Sequence, residues 1–416
     1  MNEKLEIITF GCRLNSYETE VIRSRAREAK LSNAVIINTC AVTSEAERQA
    51  RQAIRRARKN SPNAEIIVSG CAAQINPSDW ANMPEVNRVI GNQEKLEAVS
   101  FISETEHPKI KVNDIMSVNE QAGHLLSSFE GKARAYVQVQ QGCDHRCTFC
   151  IIPFGRGNSR SIPLGDLVNE AKRLVANGYQ ELVLTGVDLT SYGHDLPGQP
   201  SLGQAVRRLL AAIPSLPRLR LSSLDPSEID PDLELLIANE SRLMPHLHLS
   251  IQSGSDLILK RMKRRHLRTD VIDLTKKLRK LRPEIVFGAD LIAGFPTETS
   301  KMFKHTIDII KEAELTWLHV FPYSPRPNTP AARMPQVAKN IRRERSAELR
   351  KIGEVTASNH LNSYVGFDLA VLVEKQGMGR TESYAKVSID GNPAEGTIVN
   401  THILRSDGSK LYGQIV

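Results

Sequence analysis

The stretch Gln141-Gly-Cys143-Asp-His-Arg-Cys147-Thr-Phe-Cys150 follows the apolar run Ala135-Tyr-Val-Gln-Val and spaces its cysteines C-x-x-x-C-x-x-C. A β-rich run that gives way to a polar, glycine-containing segment reads as the end of a strand and the start of a loop. A loop this tight lets three thiolates converge on one centre, and soft thiolates favour zinc, copper(I) or iron-sulfur clusters over hard cations. With only three cysteines on offer, a 4Fe-4S cluster here would keep one iron without a protein ligand, open to a small molecule. The competing reading is a Cys₃His zinc site with His145 as fourth ligand. Against it, His145 lies between two of the cysteines in a very short loop and is poorly placed to turn inward with both. A disulfide fits neither the spacing nor the absence of a signal-peptide pattern.

Three further cysteines stand upstream, each just after a short β-rich run. Leu5-Glu-Ile-Ile-Thr-Phe10 leads to Cys12, Ala34-Val-Ile-Ile37 to Cys40, and Glu65-Ile-Ile-Val68 to Cys71. Helical stretches separate the runs, so the pattern implies βαβ units and a parallel sheet. Parallel strands point the same way, which puts all three thiols at one sheet edge, where open α/β sheets place ligands. A second three-thiolate site is thus expected from topology. The plain alternative is that buried cysteines merely pack behind their strands, but Cys12 and Cys71 follow glycines that let the backbone approach a ligand closely.

The chain has 416 residues, 40% of them hydrophobic, and a formal net charge of +8. That length accommodates two or three domains. No apolar run approaches a membrane span, and the charged start leads into a strand rather than a signal peptide's apolar core, so a cytoplasmic protein without a membrane partner is expected. The positive balance is compatible with nucleic acid. Along Ala46–Lys59, Arg48, Arg51, Arg55 and Arg58 recur at three and four residues on one helical face, a candidate phosphate surface or a solvated face. Lys260, Arg261, Lys263, Arg264 and Arg265 form a second basic run. Glu104 to Glu130 is polar and weakly periodic and reads as a connector.

From Ala135 to Phe321 strand-like runs alternate with helical ones, at 135–140, 181–185, 218–222, 246–251, 285–291 and 317–321. Six such units predict a partial (β/α) barrel, whose chemistry sits at the C-terminal ends of the strands. Cys143, Thr185-Gly-Val187, Ser222-Ser223, Ser250-Ile-Gln252 and Asp290 to Pro296 all fall there. The proline-rich Phe321 to Pro330 cannot be regular helix or central strand. A basic helix is expected from Gln336 to about Lys351. From Val355 onward short strands broken by Gly-Asn and Asp-Gly turns predict a small β-barrel.

These motifs resemble one family. C-x-x-x-C-x-x-C after a strand is the mark of radical S-adenosylmethionine (SAM) enzymes, and Gly142-Cys-Asp-His-Arg-Cys-Thr-Phe-Cys-Ile-Ile-Pro-Phe-Gly-Arg-Gly-Asn-Ser-Arg160 resembles their methylthiotransferase branch. Gly11-Cys-Arg-Leu-Asn15, Asn38-Thr-Cys-Ala-Val-Thr43 and Gly70-Cys-Ala-Ala-Gln74 are similar to its three N-terminal cysteine motifs. Leu247-His-Leu-Ser-Ile-Gln-Ser-Gly-Ser-Asp256 and Asp290-Leu-Ile-Ala-Gly-Phe-Pro-Thr-Glu298 resemble its SAM-pocket strands, and Tyr323-Ser-Pro-Arg326 the segment closing the active-site face, with Asn328 where a glycine is usual.

The resemblance implies three domains: residues 1–115 with an auxiliary cluster, 132–335 as the radical SAM barrel, and 355–416 as a TRAM-like RNA-binding module. It implies two 4Fe-4S clusters, one on Cys143, Cys147 and Cys150 that delivers an electron to SAM, and one on Cys12, Cys40 and Cys71 that supplies sulfur. It assigns SAM contacts to Thr185, Gly186, Ser250, Gln252 and Gly294. The substrate it implies is threonylcarbamoyl-adenosine beside the anticodon of tRNA, bound through the anticodon stem-loop. An electron donor such as a flavodoxin-type protein is implied, and the sulfur source is left open. Isopentenyl-adenosine and a ribosomal-protein aspartate are the rival substrates within the family. A noncatalytic RNA-binding iron-sulfur or zinc protein is the rival outside it. One departure concerns the C-terminal module, where Lys375, Arg380, Lys386, Arg405 and Lys410 face Asp368, Glu374, Glu382, Asp390, Glu395 and Asp407. It is not basic overall, so RNA affinity must come from a local patch or from elsewhere.

Overall fold

The computed structural model describes residues 5–102, 108–118, 126, 128–129 and 133–416. The connector expected between Glu104 and Glu130 lies largely outside the described residues. The N-terminal part is a parallel sheet of β1 (Leu5–Thr9), β2 (Ala34–Thr39), β3 (Glu65–Gly70), β4 (Arg88–Ile90) and β5 (Ile110–Lys111), in that order. β2 is buried at every position, as an Ala-Val-Ile-Ile run covered on both faces must be. Thr9 pairs with Asn38, and Thr39 with Gly70, so the first three strands end level. The residues after each end, bearing Cys12, Cys40 and Cys71, therefore emerge at one edge as expected. β4 and β5 were not anticipated, because three and two residues are too short to show a period.

The central part is a curved parallel wall in two sheets. One runs β10-β9-β6, with β6 (Ala135–Gln138), β9 (Glu181–Thr185) and β10 (Arg218–Leu221); the other runs β11-β12-β13-β14, with β11 (Ser223–Leu224), β12 (His246–Gln252), β13 (Val286–Ala293) and β14 (Leu315–Pro322). β10 passes to β11 through Ser222 alone, so the six expected positions are all filled and the wall is the partial barrel. Alternation sets its two faces. Leu247, Leu249 and Ile251 join the main core with Val271 and Leu278 of the helix Arg268–Leu281, while His246, His248 and Ser250 face the lumen. An antiparallel pair, β7 (Gln140–Gln141) and β8 (Arg160–Ser161), closes the base of the cysteine loop.

The helix after the barrel runs Lys339–Asn362, further than the expected end near Lys351 and past Val355, where strands were expected. Gly353 makes the extension workable: a Cβ there would stand 3.1 Å from the Leu318 side chain, so the helix lies close along β14 and gains a packed partner for its last turns. The first strand of the C-terminal module starts only at Asp368. β15 (Asp368–Lys375), β16 (Met378–Thr381), β17 (Lys386–Asp390), β18 (Ile398–Ser406) and β19 (Leu411–Ile415) form a closed barrel, TRAM-like as expected. The module is anchored by Tyr384, which enters the mouth formed by the N-terminal ends of the barrel strands. Its ring stacks on His246 at 5.4 Å and meets the guanidinium groups of Arg380, Arg220, Arg134 and Arg13 at 4.3 to 5.5 Å. Burial would raise the phenol's pKa, but these arginines lower it, the signature of a ring wrapped in cations.

Buried polar contacts also join the N-terminal part to the barrel. Tyr17 donates its hydroxyl to Glu170 at 3.1 Å. Burial pushes the Glu170 carboxyl up to about 8, despite that bond. A carboxyl whose folded pKa is raised keeps its proton while the unfolded chain loses it, so stability falls as pH rises from the ordinary carboxyl range to about 8. Glu170→Gln is accordingly expected to lose this dependence: its melting temperature should exceed the wild type's by a margin that widens between pH 5 and pH 8. A constant margin in thermal melts across that range would show that Glu170 titrates normally. Among the described residues, no helix is long and apolar enough to cross a membrane.

Candidate active site

Cys12 caps the helix Arg13–Glu28 and is exposed, Cys40 is buried just beyond β2, and Cys71 opens the helix Cys71–Ile75. Gly11, at φ 102°, is needed there: a Cβ would fall 2.9 Å from the Cys40 sulfur, so any side chain would push the second thiol away. Burial raises the Cys40 thiol to about 12, and the neighbouring Cys71 and Cys12 add to the effect. A buried thiol beside two others, with no disulfide among them, has the donor chemistry of a metal site, because a bound cation stabilises the thiolate.

The second trio is held by backbone bonds. The Cys143 amide donates to Gly157 at 3.1 Å and the Cys150 amide to Cys147 at 3.0 Å. Thr148 donates through its amide to Met262 and through its hydroxyl to Arg261, at 3.1 and 2.7 Å, and accepts from the Ala331 amide at 2.9 Å. The loop is thus pinned by the helix Asp256–Met262 and by the segment beyond the barrel. Burial raises the Cys143 and Cys150 thiols, the second to about 12. The Cys143 sulfur lies 3.5 Å from an Asp188 oxygen, and the Cys147 sulfur 3.7 Å from an Arg264 nitrogen. Arg264 is fixed in turn by Asp225 at 2.8 Å and the Ser250 carbonyl at 2.7 Å. A carboxylate and a guanidinium therefore flank the trio.

His145 does not complete a zinc site. Its Nε2 is 2.9 Å from Asp188 and 3.5 Å from Glu228, and hydrogen bonding to these carboxylates raises its pKa to about 10. A protonated imidazole has no lone pair to offer a metal. Spacing argues the same way. Three thiolates on one zinc stand about 3.8 Å apart for tetrahedral bonds of about 2.3 Å, yet among the described residues neither cysteine trio gathers its sulfurs to within 4.8 Å of one another.

The residues expected to contact SAM lie on the same rim. Thr185 ends β9 and Gly186 follows it against Gln140, whose Oε1 accepts from the Val187 and Asp188 amides at 3.0 and 2.9 Å. Ser250 and Gln252 end β12, where the register shifts and Gln252 takes φ 72°; such a bulge re-aims side chains at a strand end. The direction in which a Cβ of Gly294 would point is filled by Arg342, so the turn after β13 is packed against the helix that follows the barrel. Sequence reasoning did not single out Asp188, Asp225, Glu18, Lys95 or Arg156. Asp188 had a signal, since it follows the Thr185-Gly-Val187 turn directly; the others are visible only by contact.

Parts of both basic runs are engaged within the protein. Arg58 donates to Pro62, Ala64, Glu85 and Asn87, Arg51 lies 4.4 Å from the Trp80 ring, and Arg48 pairs with Glu45 at 2.6 Å. In the second run Arg264 faces the cysteine loop and Arg265 pairs with Glu228. On Ala46–Lys59, Arg58 and Arg51 thus brace the fold, while Arg48 and Arg55 stay largely exposed.

Comparison with known proteins bears on this geometry. Residues 137–351 match the radical SAM superfamily, and residues 4–91 match uncharacterized protein family UPF0004. The chain is 55% identical, over 97% of its length and 95% of the relative's, to the threonylcarbamoyladenosine tRNA methylthiotransferase MtaB of Rickettsia prowazekii. This chain belongs to the radical SAM methylthiotransferase family. The methylthiotransferase is 34% identical to the Bacillus subtilis protein of the same name, over 98% of the chain and 95% of the relative. To the tRNA-2-methylthio-N(6)-dimethylallyladenosine synthase of Rickettsia rickettsii it is 31% identical over the full length of both. In fold the methylthiotransferase is similar to the radical SAM methyltransferase TsrM of Kitasatospora setae, with a TM-score of 0.57 and 16% identity over 79% of this chain and 75% of that one. As a member of this family it is an enzyme that uses SAM and iron-sulfur chemistry.

Proposed function

We propose that this enzyme adds a methylthio group to the adenine ring of threonylcarbamoyl-adenosine beside the tRNA anticodon. The observation that carries the reading is the gap between relatives: 55% identity to a threonylcarbamoyladenosine enzyme against 31% to a dimethylallyladenosine enzyme, both over nearly the whole chain. Cys143, Cys147 and Cys150 hold one 4Fe-4S cluster and Cys12, Cys40 and Cys71 a second. When bound, the clusters supply the electron for SAM cleavage and the sulfur for transfer. The chain's own residues do the positioning. Asp188 and Arg264, of opposite charge on either side of the first trio, suit the amino and carboxylate groups of an amino acid such as SAM. Thr185, Gly186, Ser250, Gln252 and Gly294 line or shape the same rim, and the C-terminal barrel adds RNA surface. The enzyme works in the cytoplasm with an external electron donor.

The test is an anaerobic reaction of the reconstituted enzyme with SAM, sulfide, dithionite and tRNA bearing either nucleoside. Methylthio product is expected on threonylcarbamoyl-adenosine, with turnover of the isopentenyl-adenosine tRNA at least tenfold slower. Equal turnover, or preference for the isopentenyl substrate, would refute the assignment.

A further inference from the structure

Between the two cysteine trios lies a charge imbalance that the reaction described above does not use. Arg156 is 1% exposed, and Lys95 and Glu18 are 0% exposed. Glu18 receives both cations, Lys95 at 2.7 Å on one oxygen and Arg156 at 2.7 Å on the other. The remaining polar partners are neutral: Asn15 and Gln141 accept from Arg156, and Asn38 from Lys95. With Lys95 and Arg156 both protonated, against burial that lowers the lysine's pKa, one buried positive charge is left over. An unmatched charge in a protein interior is strongly unfavourable, so the site calls for a further anion.

The thiols stand in the right place to provide it. Asn15, which accepts from Arg156, lies 4.0 Å from the Cys12 sulfur. Gly155, the residue before Arg156, packs on Cys71 so closely that a Cβ would meet the Cys71 Cβ at 3.2 Å. Asn92 donates to the Gly155 carbonyl and sits 3.9 Å from the Cys71 sulfur. We propose that Arg156, with Lys95, is the buried counter-charge of the cluster on Cys12, Cys40 and Cys71, and that the barrel thereby completes the N-terminal site through Arg156. The proposal rests on the reading that this trio holds a cluster. Three thiolates on an oxidised cubane core leave it anionic, and reduction deepens the charge, so a fixed cation nearby favours the reduced state and raises the potential. Arg156 acts as a positioning and tuning group rather than one that touches substrate.

The experiment uses the full-length chain with Cys143, Cys147 and Cys150 changed to alanine, so that only the N-terminal cluster remains. Its iron content and its reduction potential, followed by electron paramagnetic resonance, are measured with Arg156→Gln, Arg156→Lys and Glu18→Gln added singly. Arg156→Gln should shift the potential negative or release iron, Arg156→Lys should stay near the parent, and Glu18→Gln, which unmasks a second cation, should shift it positive. Lys95→Gln substitutes for Arg156→Gln if the latter does not fold, with the same negative shift expected. Shifts of one sign in the Arg156 and Glu18 variants, or full iron and an unchanged potential in both, would overturn the counter-charge. A parent chain without iron would instead overturn the cluster reading itself.

Discussion

The variant with Cys143, Cys147 and Cys150 changed to alanine is expected to cleave no SAM while retaining roughly half the wild-type iron, as follows from the proposal that each trio holds one cluster. The two trios belong to separate parts of the chain: one sits on the loop between β7 and β8, the other at the ends of β1, β2 and β3. Removing three sulfurs from the loop leaves its backbone bonds from Cys143 to Gly157 and from Thr148 to Met262 in place, so the fold survives and the loss is chemical. 5′-Deoxyadenosine release reads the first quantity, and anaerobic iron and sulfide analysis with an absorption spectrum the second. Loss of all iron would show that the sites form one unit, and unchanged iron would show that this trio holds none.

The positions of the six cysteines were legible because Cys12, Cys40, Cys71 and Cys143 each follow a β-rich run and Cys147 and Cys150 share the loop of Cys143, and parallel strands convert the first regularity into a shared edge. Barrel strands such as Glu181–Thr185 and His246–Gln252 were likewise legible, since apolar runs bounded by glycine, serine and charge mark them. What the sequence hid depends on contacts between distant segments. Arg156 meets Glu18 across 138 residues, and nothing local distinguishes it from Arg160 or the exposed arginines. The same limit applies to Ala46–Lys59: the helical face was identified, but that Arg58 braces the loop at Pro62 and the turn at Glu85 is a tertiary fact. β16 escaped notice because Met378-Gly-Arg-Thr381 lacks an apolar alternation and is defined by its neighbours in the closed barrel.

The complementary variant, with Cys12, Cys40 and Cys71 changed to alanine, is expected to cleave SAM to 5′-deoxyadenosine at a rate within about threefold of wild type, yet to leave tRNA without a methylthio group, a loss of at least about a hundredfold. Asp188, Arg264 and the SAM rim all belong to the barrel and keep their partners Ser191, Asp225 and Ser250. Among the described residues, the contacts at risk include the packing of Gly155 on Cys71, whose Cβ alanine retains, and the approach of Asn92 to the Cys71 sulfur, after whose loss Asn92 keeps its bond to the Gly155 carbonyl. Both quantities are read from one tube, under dithionite, by chromatography of 5′-deoxyadenosine and of digested tRNA. Methylthiolated product would remove the N-terminal trio from sulfur transfer; loss of SAM cleavage in a folded variant would mean that the two sites are not separable.

Substrate choice is the claim on which the whole account turns, and nucleoside mass spectrometry of tRNA from a strain lacking this gene tests it most directly. The methylthiolated form of threonylcarbamoyl-adenosine should vanish and its unmodified precursor accumulate, with recovery on complementation by the wild type and none by either cysteine-trio variant. Methylthiolated isopentenyl-adenosine should stay at its normal level. Persistence of the methylthiolated threonylcarbamoyl nucleoside, or loss of the isopentenyl one instead, would contradict the account.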